Sequence, residues 1–262
     1  MLLPGIFVVG TDTGVGKTQV AAGIARVLAE QGHRVGALKP MATGARREGE
    51  SWVSDDADAL LRAIGNPVPL RRVAPLLYEE PLTPSVAARR CGTPLLPEQV
   101  FEETRQALLW WSAQADLMVV EGIGGVLTPL AEGMTLLDLA ERLDYPLLIV
   151  ARRGLGTLNH TLLTLEAVRR RGLRVAGILL NQAEPIDGDG LAESTNADEL
   201  ARFVGATPIL GELPFEGDEK RFAFALACMD WYDRLGRPRH TLLFGTSAQV
   251  KQGSGEPGER SQ

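Results

Sequence analysis

The chain has 262 residues, 45% of them apolar and 23% charged, and a net charge of -6. This is the make-up of an ordinary soluble protein, and the acidic balance excludes a general affinity for nucleic acid or for an anionic membrane surface. Two cysteines, Cys91 and Cys228, stand in no metal-ligand spacing, and the three histidines are far apart in sequence, so neither a disulfide framework nor a Cys/His metal centre is expected.

The first apolar run, Ile6 to Val9, leads into GTDTGVGKT (residues 10–18), after which Val20, Ile24, Val27 and Leu28 fall on one helical face. The order is strand, loop, helix. Small residues let backbone N–H groups converge there, and the helix start adds its positive dipole end, so the loop takes an anion. Lys17 can reach the terminal phosphates of a nucleotide, and the Thr18 hydroxyl is placed to ligate the Mg²⁺ that accompanies them. The spacing is a variant, because five residues separate Gly10 from Gly16 where the usual phosphate loop has four. A glycine-rich turn that only caps a helix is the plain alternative.

The second run, residues 35–38, ends in LKPMATG (residues 38–44). Lysine occurs only at 17, 39, 220 and 251, so two of the four sit in strand-end loops. Asp55, Asp56 and Asp58 then open a helix through Leu60, Leu61 and Ile64, with Ser54 as its N-cap, and acidic residues at that end complement the helix dipole. The run 117–120 closes on Glu121 and continues as Gly122-Ile123-Gly124-Gly125. A carboxylate emerging from a buried strand beside a phosphate loop can bind Mg²⁺, or it can cap a neighbouring loop.

Further strand-length runs at 147–151, 175–180 and 208–210 complete a set of short buried strands alternating with helices. The expected architecture is α/β, a mainly parallel sheet covered by helices on both faces. Each chemically distinctive segment falls at a strand's carboxyl end, the edge where such sheets bind ligands. Residues 241–262 are polar and Gly-rich, and disorder is expected there. No basic leader followed by an apolar stretch opens the chain, and no run reaches the ~18 apolar residues of a membrane span, which predicts a soluble cytoplasmic protein.

In order, GTDTGVGKT, KPMATG, VEGIGG, LGTLNHTLLT, LLNQ and GELP resemble the dethiobiotin synthetases over roughly residues 5–216. The resemblance implies one P-loop NTPase-like domain spanning residues 1–240 and an ATP- and Mg²⁺-dependent cyclo-ligase of biotin biosynthesis. Its substrates would be 7,8-diaminononanoate and CO₂ or bicarbonate, joined through a carbamate and a carbamic-phosphoric anhydride. By the same resemblance Lys39 and Lys17 carry the catalytic charge, and Thr18, Asp56 and Glu121 hold the metal, with Asp55 or Asp58 as alternatives to Asp56. The nucleotide would lie along Gly14, Val15, Gly16, Lys17, Thr18, Gln19, Gly122, Ile123 and Gly124, its adenine on Asn181, Gln182, Leu213, Pro214 and Phe215. The diamine would meet Thr11, Lys39, Thr43, Gly156, Thr157, Leu158 and Asn159, the last four coming from the partner subunit of a homodimer. Asn159 also suits a plain helix N-cap.

Three features depart from the family or bear on rivals. Thr43 stands where the family commonly has Ser, and Gly14 where some members have a larger or acidic residue. A partitioning ATPase of the deviant-Walker kind would carry an extra lysine five residues before Lys17, where this chain has Asp12. Another ATP-dependent ligase of the same fold group is the remaining competitor, and it would need an external ammonia source.

Overall fold

The structure, a computed structural model, describes residues 2–185, 190–215 and 219–239. Residues 241–262, predicted to be disordered, lie outside them. Six parallel strands form the central sheet: β1 (Gly5–Gly10), β2 (Val35–Leu38), β3 (Leu117–Gly125), β4 (Leu147–Arg152), β5 (Val175–Asn181) and β6 (Ile209–Leu213). Their spatial order is β6-β5-β4-β1-β3-β2. Every residue of β1 is buried. Since successive side chains point to opposite faces, both faces of the sheet are covered, as the unbroken apolar runs predict.

The helices that cover it include α1 (Lys17–Glu30), α2 (Asp55–Ile64), α3 (Pro97–Ser112), α4 (Leu136–Leu143), α5 (Thr157–Arg170) and α6 (Leu191–Ala201). Helix α1 buries Val20, Ala21, Ile24, Ala25, Val27 and Leu28, the helical stripe legible in the sequence. Helix α3 sends Trp111 fully into the core, where its indole N–H donates to the Arg72 carbonyl at 2.9 Å. The third strand runs to Gly125, beyond the predicted 117–120, because its glycine-rich end stays paired with β1 as far as Gly10 opposite Gly125. The sheet order reverses direction around β1, so the loop after β1 opens at the crevice where such sheets receive ligands.

The opposite end of the sheet is closed by the chain's last described residues. Gly236 exchanges two main-chain hydrogen bonds of 3.0 Å with Gly5. Arg239 meets the buried Asp144 carboxylate, with one guanidinium contact at 2.7 Å. Asp144 ends α4 with φ 49°, a left-handed conformation that Asp and Asn tolerate. A carboxylate at a helix C-terminus opposes the helix dipole, and two arginines offset it here. Burial alone would push the pKa of the Asp144 carboxyl up, but hydrogen bonds from Arg239 and the charge of Arg174 outweigh it and hold the pKa below its ordinary value. A depressed folded-state value stabilises the fold above the unfolded carboxylate range, and that contribution fades as pH falls through the lower folded value. Asp144→Asn, which keeps the backbone preference, is therefore expected to lower stability at pH 7 by about 1–2 kcal/mol, Arg239 being partly exposed. In urea melts the difference from wild type should shrink below about pH 4.

Candidate active site

The loop between β1 and α1 owes its shape to two glycines with positive φ, Gly14 at 75° and Gly16 at 87°, the second forming the N-cap of α1. Lys17 is buried and its ammonium donates to the Asp12 carbonyl at 2.8 Å, folding back over the loop. Burial, and then the charge of Lys39, pull Lys17 down to about 8. An anion in the loop would reverse that pull by restoring a counter-charge. From β5, the Asn181 amide donates to the Val15 carbonyl at 3.0 Å and so ties the loop to the sheet. A Cβ added to Gly16 would stand 2.0 Å from that amide nitrogen, which leaves glycine as the residue that fits.

Beside the loop, four side chains from four elements meet. Thr18 is the second residue of α1, Lys39 follows β2 directly, Asp56 is the second residue of α2, and Glu121 lies on β3. The Lys39 ammonium is buried between Glu121 Oε1 at 2.7 Å and Asp56 Oδ2 at 2.8 Å. The Thr18 hydroxyl lies 2.7 Å from Glu121 Oε1 and 2.9 Å from Asp56 Oδ1. One hydroxyl proton serves two carboxylates, so this knot of oxygens demands a cation. Burial would lower Lys39, but the charges of Glu121 and Asp56 prevail and hold it above its ordinary value. Burial likewise outweighs Lys39 at Glu121 and raises it, whereas at Asp56 burial is overcome by Lys39 and the carboxyl is lowered.

The donor set tests for a metal. It is all oxygen, and Glu121 Oε2 is buried with no hydrogen-bond partner among the described residues. Among the described residues, no group of three or more His, Cys, Asp and Glu side chains gathers to hold an ion. Two carboxylates and one hydroxyl leave most positions to phosphate and water, the arrangement Mg²⁺ prefers, and these residues fit it. Of the three acids opening α2, Asp56 joins the cluster, while Asp55 turns to Arg46 at 2.8 Å. Ser54 occupies the N-cap position of α2, yet its hydroxyl makes no capping bond and only its carbonyl accepts, from the Asp58 N–H at 2.8 Å. The first-turn carboxylates meet the dipole in its place.

Around this cluster the other predicted residues divide into three groups. Gly122 offers its carbonyl to Lys39 at 3.4 Å, Ile123 is half-buried, and Gly124 turns with φ 62°. Asn181 lies opposite Leu213 in the sheet and the Gln182 N–H donates to the Leu213 carbonyl at 3.1 Å, bringing Gln182, Pro214 and Phe215 to one edge. Among the described residues, Asn181 Oδ1 and Gln182 Oε1 are buried acceptors without a hydrogen-bond partner. Gln19 is half-buried on the first turn of α1.

Of the residues expected to meet the diamine, the Thr11 hydroxyl is buried with no hydrogen-bond partner among the described residues, and Thr43 ends a short strand paired with Leu76–Tyr78. Gly156, Thr157, Leu158 and Asn159 begin α5 at the same sheet edge, and among the described residues they make no hydrogen bond to Lys17, Thr18, Lys39, Asp56 or Glu121. The N-cap of α5 is Gly156 with φ 91°, not Asn159, which lies exposed in the first turn; glycine alone adopts that backbone without strain. Sequence reasoning missed Arg153, which pairs with Glu212, and Asn196, buried under the loop before α5. The doubled arginine in RRGLG was visible, but no pattern marks Asn196.

A family model described as an AAA domain matches residues 4–221. An ATP-dependent dethiobiotin synthetase BioD from Anaeromyxobacter dehalogenans is 43% identical over 85% of this chain and 95% of its own length. Proteins of the same name from Rhodococcus jostii, 40% identical over 87% and 94%, and Bacillus licheniformis, 39% over 81% and 86%, agree. The chain belongs to the dethiobiotin synthetase family. A solved ParA family ATPase from Chlorobium tepidum aligns at TM-score 0.47 and 18% identity over 86% of this chain and 89% of its own, too distant to bear on activity.

As a member of that family, the chain offers a direct test of its phosphate loop. Gly16→Ala is expected to weaken ATP binding by about 100-fold or more, because the new methyl collides with Asn181 and the backbone is left-handed. Gly14→Ala meets no atom within 4 Å and suffers only the backbone penalty, so its affinity should fall by about tenfold or less. Titration calorimetry with ATP, alongside circular dichroism to verify folding, separates the two.

Proposed function

We propose that this chain closes the ureido ring of dethiobiotin with Lys39 and Lys17 as the groups that let two anions meet. The observation that carries this reading is the convergence of Lys39, Thr18, Asp56 and Glu121 beside the phosphate loop. The family is one of ATP-dependent ligases, and the reaction is the carboxylation and cyclisation of 7,8-diaminononanoate. One amine takes up CO₂ as a carbamate. A carbamate oxygen then attacks the γ-phosphorus of ATP, releasing ADP and forming a mixed anhydride. The second amine attacks the anhydride's carbonyl carbon, expels phosphate and closes the ring.

The difficulty lies in the approach of a carbamate oxygen to a phosphate, both negative, and stabilising that encounter is the electrostatic task of the site. Lys17 neutralises the phosphates from within the loop, and Lys39 stands at the junction of phosphate and carbamate. Thr18, Asp56 and Glu121 would hold Mg²⁺, which would supply further positive charge to the phosphate oxygens when bound. The unpartnered Asn181 and Gln182 acceptors, with Leu213, Pro214 and Phe215, receive the adenine. The Thr11 and Thr43 hydroxyls face the diamine, and the N–H groups at the start of α5 receive its carboxylate.

That last contact belongs to a homodimer in which α5 serves the neighbouring site. Leu155, 90% exposed just before α5, and Leu163, 61% exposed on it, support a second copy on this face. Among the described residues no helix is long and apolar enough to cross a membrane. A cytoplasmic location, where ATP is abundant, completes the proposal.

ADP formation is expected to require both the diamine and bicarbonate, with dethiobiotin appearing in equal amount. ATP turnover driven instead by a protein, DNA or lipid surface without the diamine would overturn the reading in favour of a switch ATPase. Lys39→Ala should lower kcat by about 10²–10³-fold, as loss of a charge that acts in the transition state. A variant with near-normal turnover in a coupled ADP assay would remove Lys39 from its role.

A further inference from the structure

Helix α6 buries only two side chains, Asn196 and Leu200. An amide in so small a contact is poor packing, since an apolar residue would bury more favourably and leave no polar group to satisfy. Its environment explains it. The Asn196 amide donates to the Arg153 carbonyl at 2.6 Å and reaches the Gly154 carbonyl at 3.3 Å. The Gly154 carbonyl also accepts the N–H of Thr157, the first residue of α5, at 3.3 Å. Asn196 thus grips the peptide from which α5 departs.

The same peptide is held from other sides. The Arg153 N–H donates to the Asn181 carbonyl at 3.1 Å, continuing the sheet beside the residue that ties down the phosphate loop. The Arg153 guanidinium pairs with Glu212 on β6 and donates to the Glu193 carbonyl of α6 at 3.1 Å. The loop between β4 and α5 is therefore pinned to the sheet by Arg153. The turn into α5, with exposed Leu155 and left-handed Gly156, has Asn196 as its side-chain anchor.

We propose that Asn196 is a positioning residue that fixes the direction of the α5 N-terminus toward the carboxylate of the diamine. The proposal rests on the reading of that helix start as the carboxylate subsite. A helix N-terminus favours an anion only over its first turn and in line with its free N–H groups. Releasing Gly154 lets the axis swing, and recognition of the carboxylate weakens while the phosphate loop, held separately by Asn181, is untouched.

The test compares 7,8-diaminononanoate with the analogue whose carboxylate is replaced by a primary amide. Both are assayed on the full-length enzyme, on Asn196→Leu, which restores apolar packing, and on Asn196→Asp, which keeps the shape but loses the donor. Wild type should prefer the acid by about tenfold in kcat/KM. Both variants should cut that preference to about twofold, through a raised KM for the diamine, while the KM for ATP stays within about twofold. Variants that melt like wild type and keep the full preference overturn the proposal. Loss of folding in both overturns it as well, by making Asn196 a stability residue. A wild type indifferent to the amide overturns the carboxylate subsite itself, a different failure from the first two.

Discussion

Everything in this site depends on a buried ammonium held between two carboxylates. Lys39 is buried away from bulk solvent, and the charges of Glu121 and Asp56 within hydrogen-bonding distance stabilise its ammonium. The carboxylates depend on it in turn, Glu121 being wholly buried and sharing the proton of Thr18 with Asp56. A site in this condition is poised to receive further positive charge on its oxygens, and to present its lysine to an anion. Both are what a reaction between carbamate and ATP requires.

The sheet makes that arrangement possible. Lys39 follows β2 and Glu121 lies on β3, and the pairing of these two strands sets Leu38 against Val120, one residue before each. Parallel pairing delivers both residues to the same edge at the same height. Helix α1 brings Thr18 to that edge, because the phosphate loop returns the chain over the end of β1. Asp56 arrives from α2, which packs along α1 and β2. No one of these elements makes a site, and a slip of one residue in the β2–β3 register would turn Glu121 to the opposite face.

Rigidity is distributed unevenly. The phosphate loop is anchored by the Asn181 amide and by the absence of a side chain at Gly16. The opposite end is closed by Gly5, Gly236 and the Asp144–Arg239 pair. The start of α5 is held through the loop before it, where the Asn196 amide donates to the Arg153 and Gly154 carbonyls and the Thr157 N–H donates to the Gly154 carbonyl.

The sequence by itself determined the alternation of strands and helices, the phosphate loop with Lys17 and Thr18, the strand-end lysine and glutamate, and the family through its ordered motifs. Those features are local, written in apolar periodicity and in spacings of a few residues. It favoured Asp56 at the head of α2 but kept Asp55 and Asp58 as alternatives, allowed Asn159 as a plain N-cap where Gly156 stands, and gave no sign of Asn196 or of the Arg153–Glu212 pair. Only the tertiary structure decided these matters, singling out Asp56 and turning Asp55 to Arg46. The physical reason is that charge and hydrogen bonding act over a few ångströms in space between residues separated by tens of positions in the chain. Strand register and helix rotation, not any local pattern, bring such residues within reach.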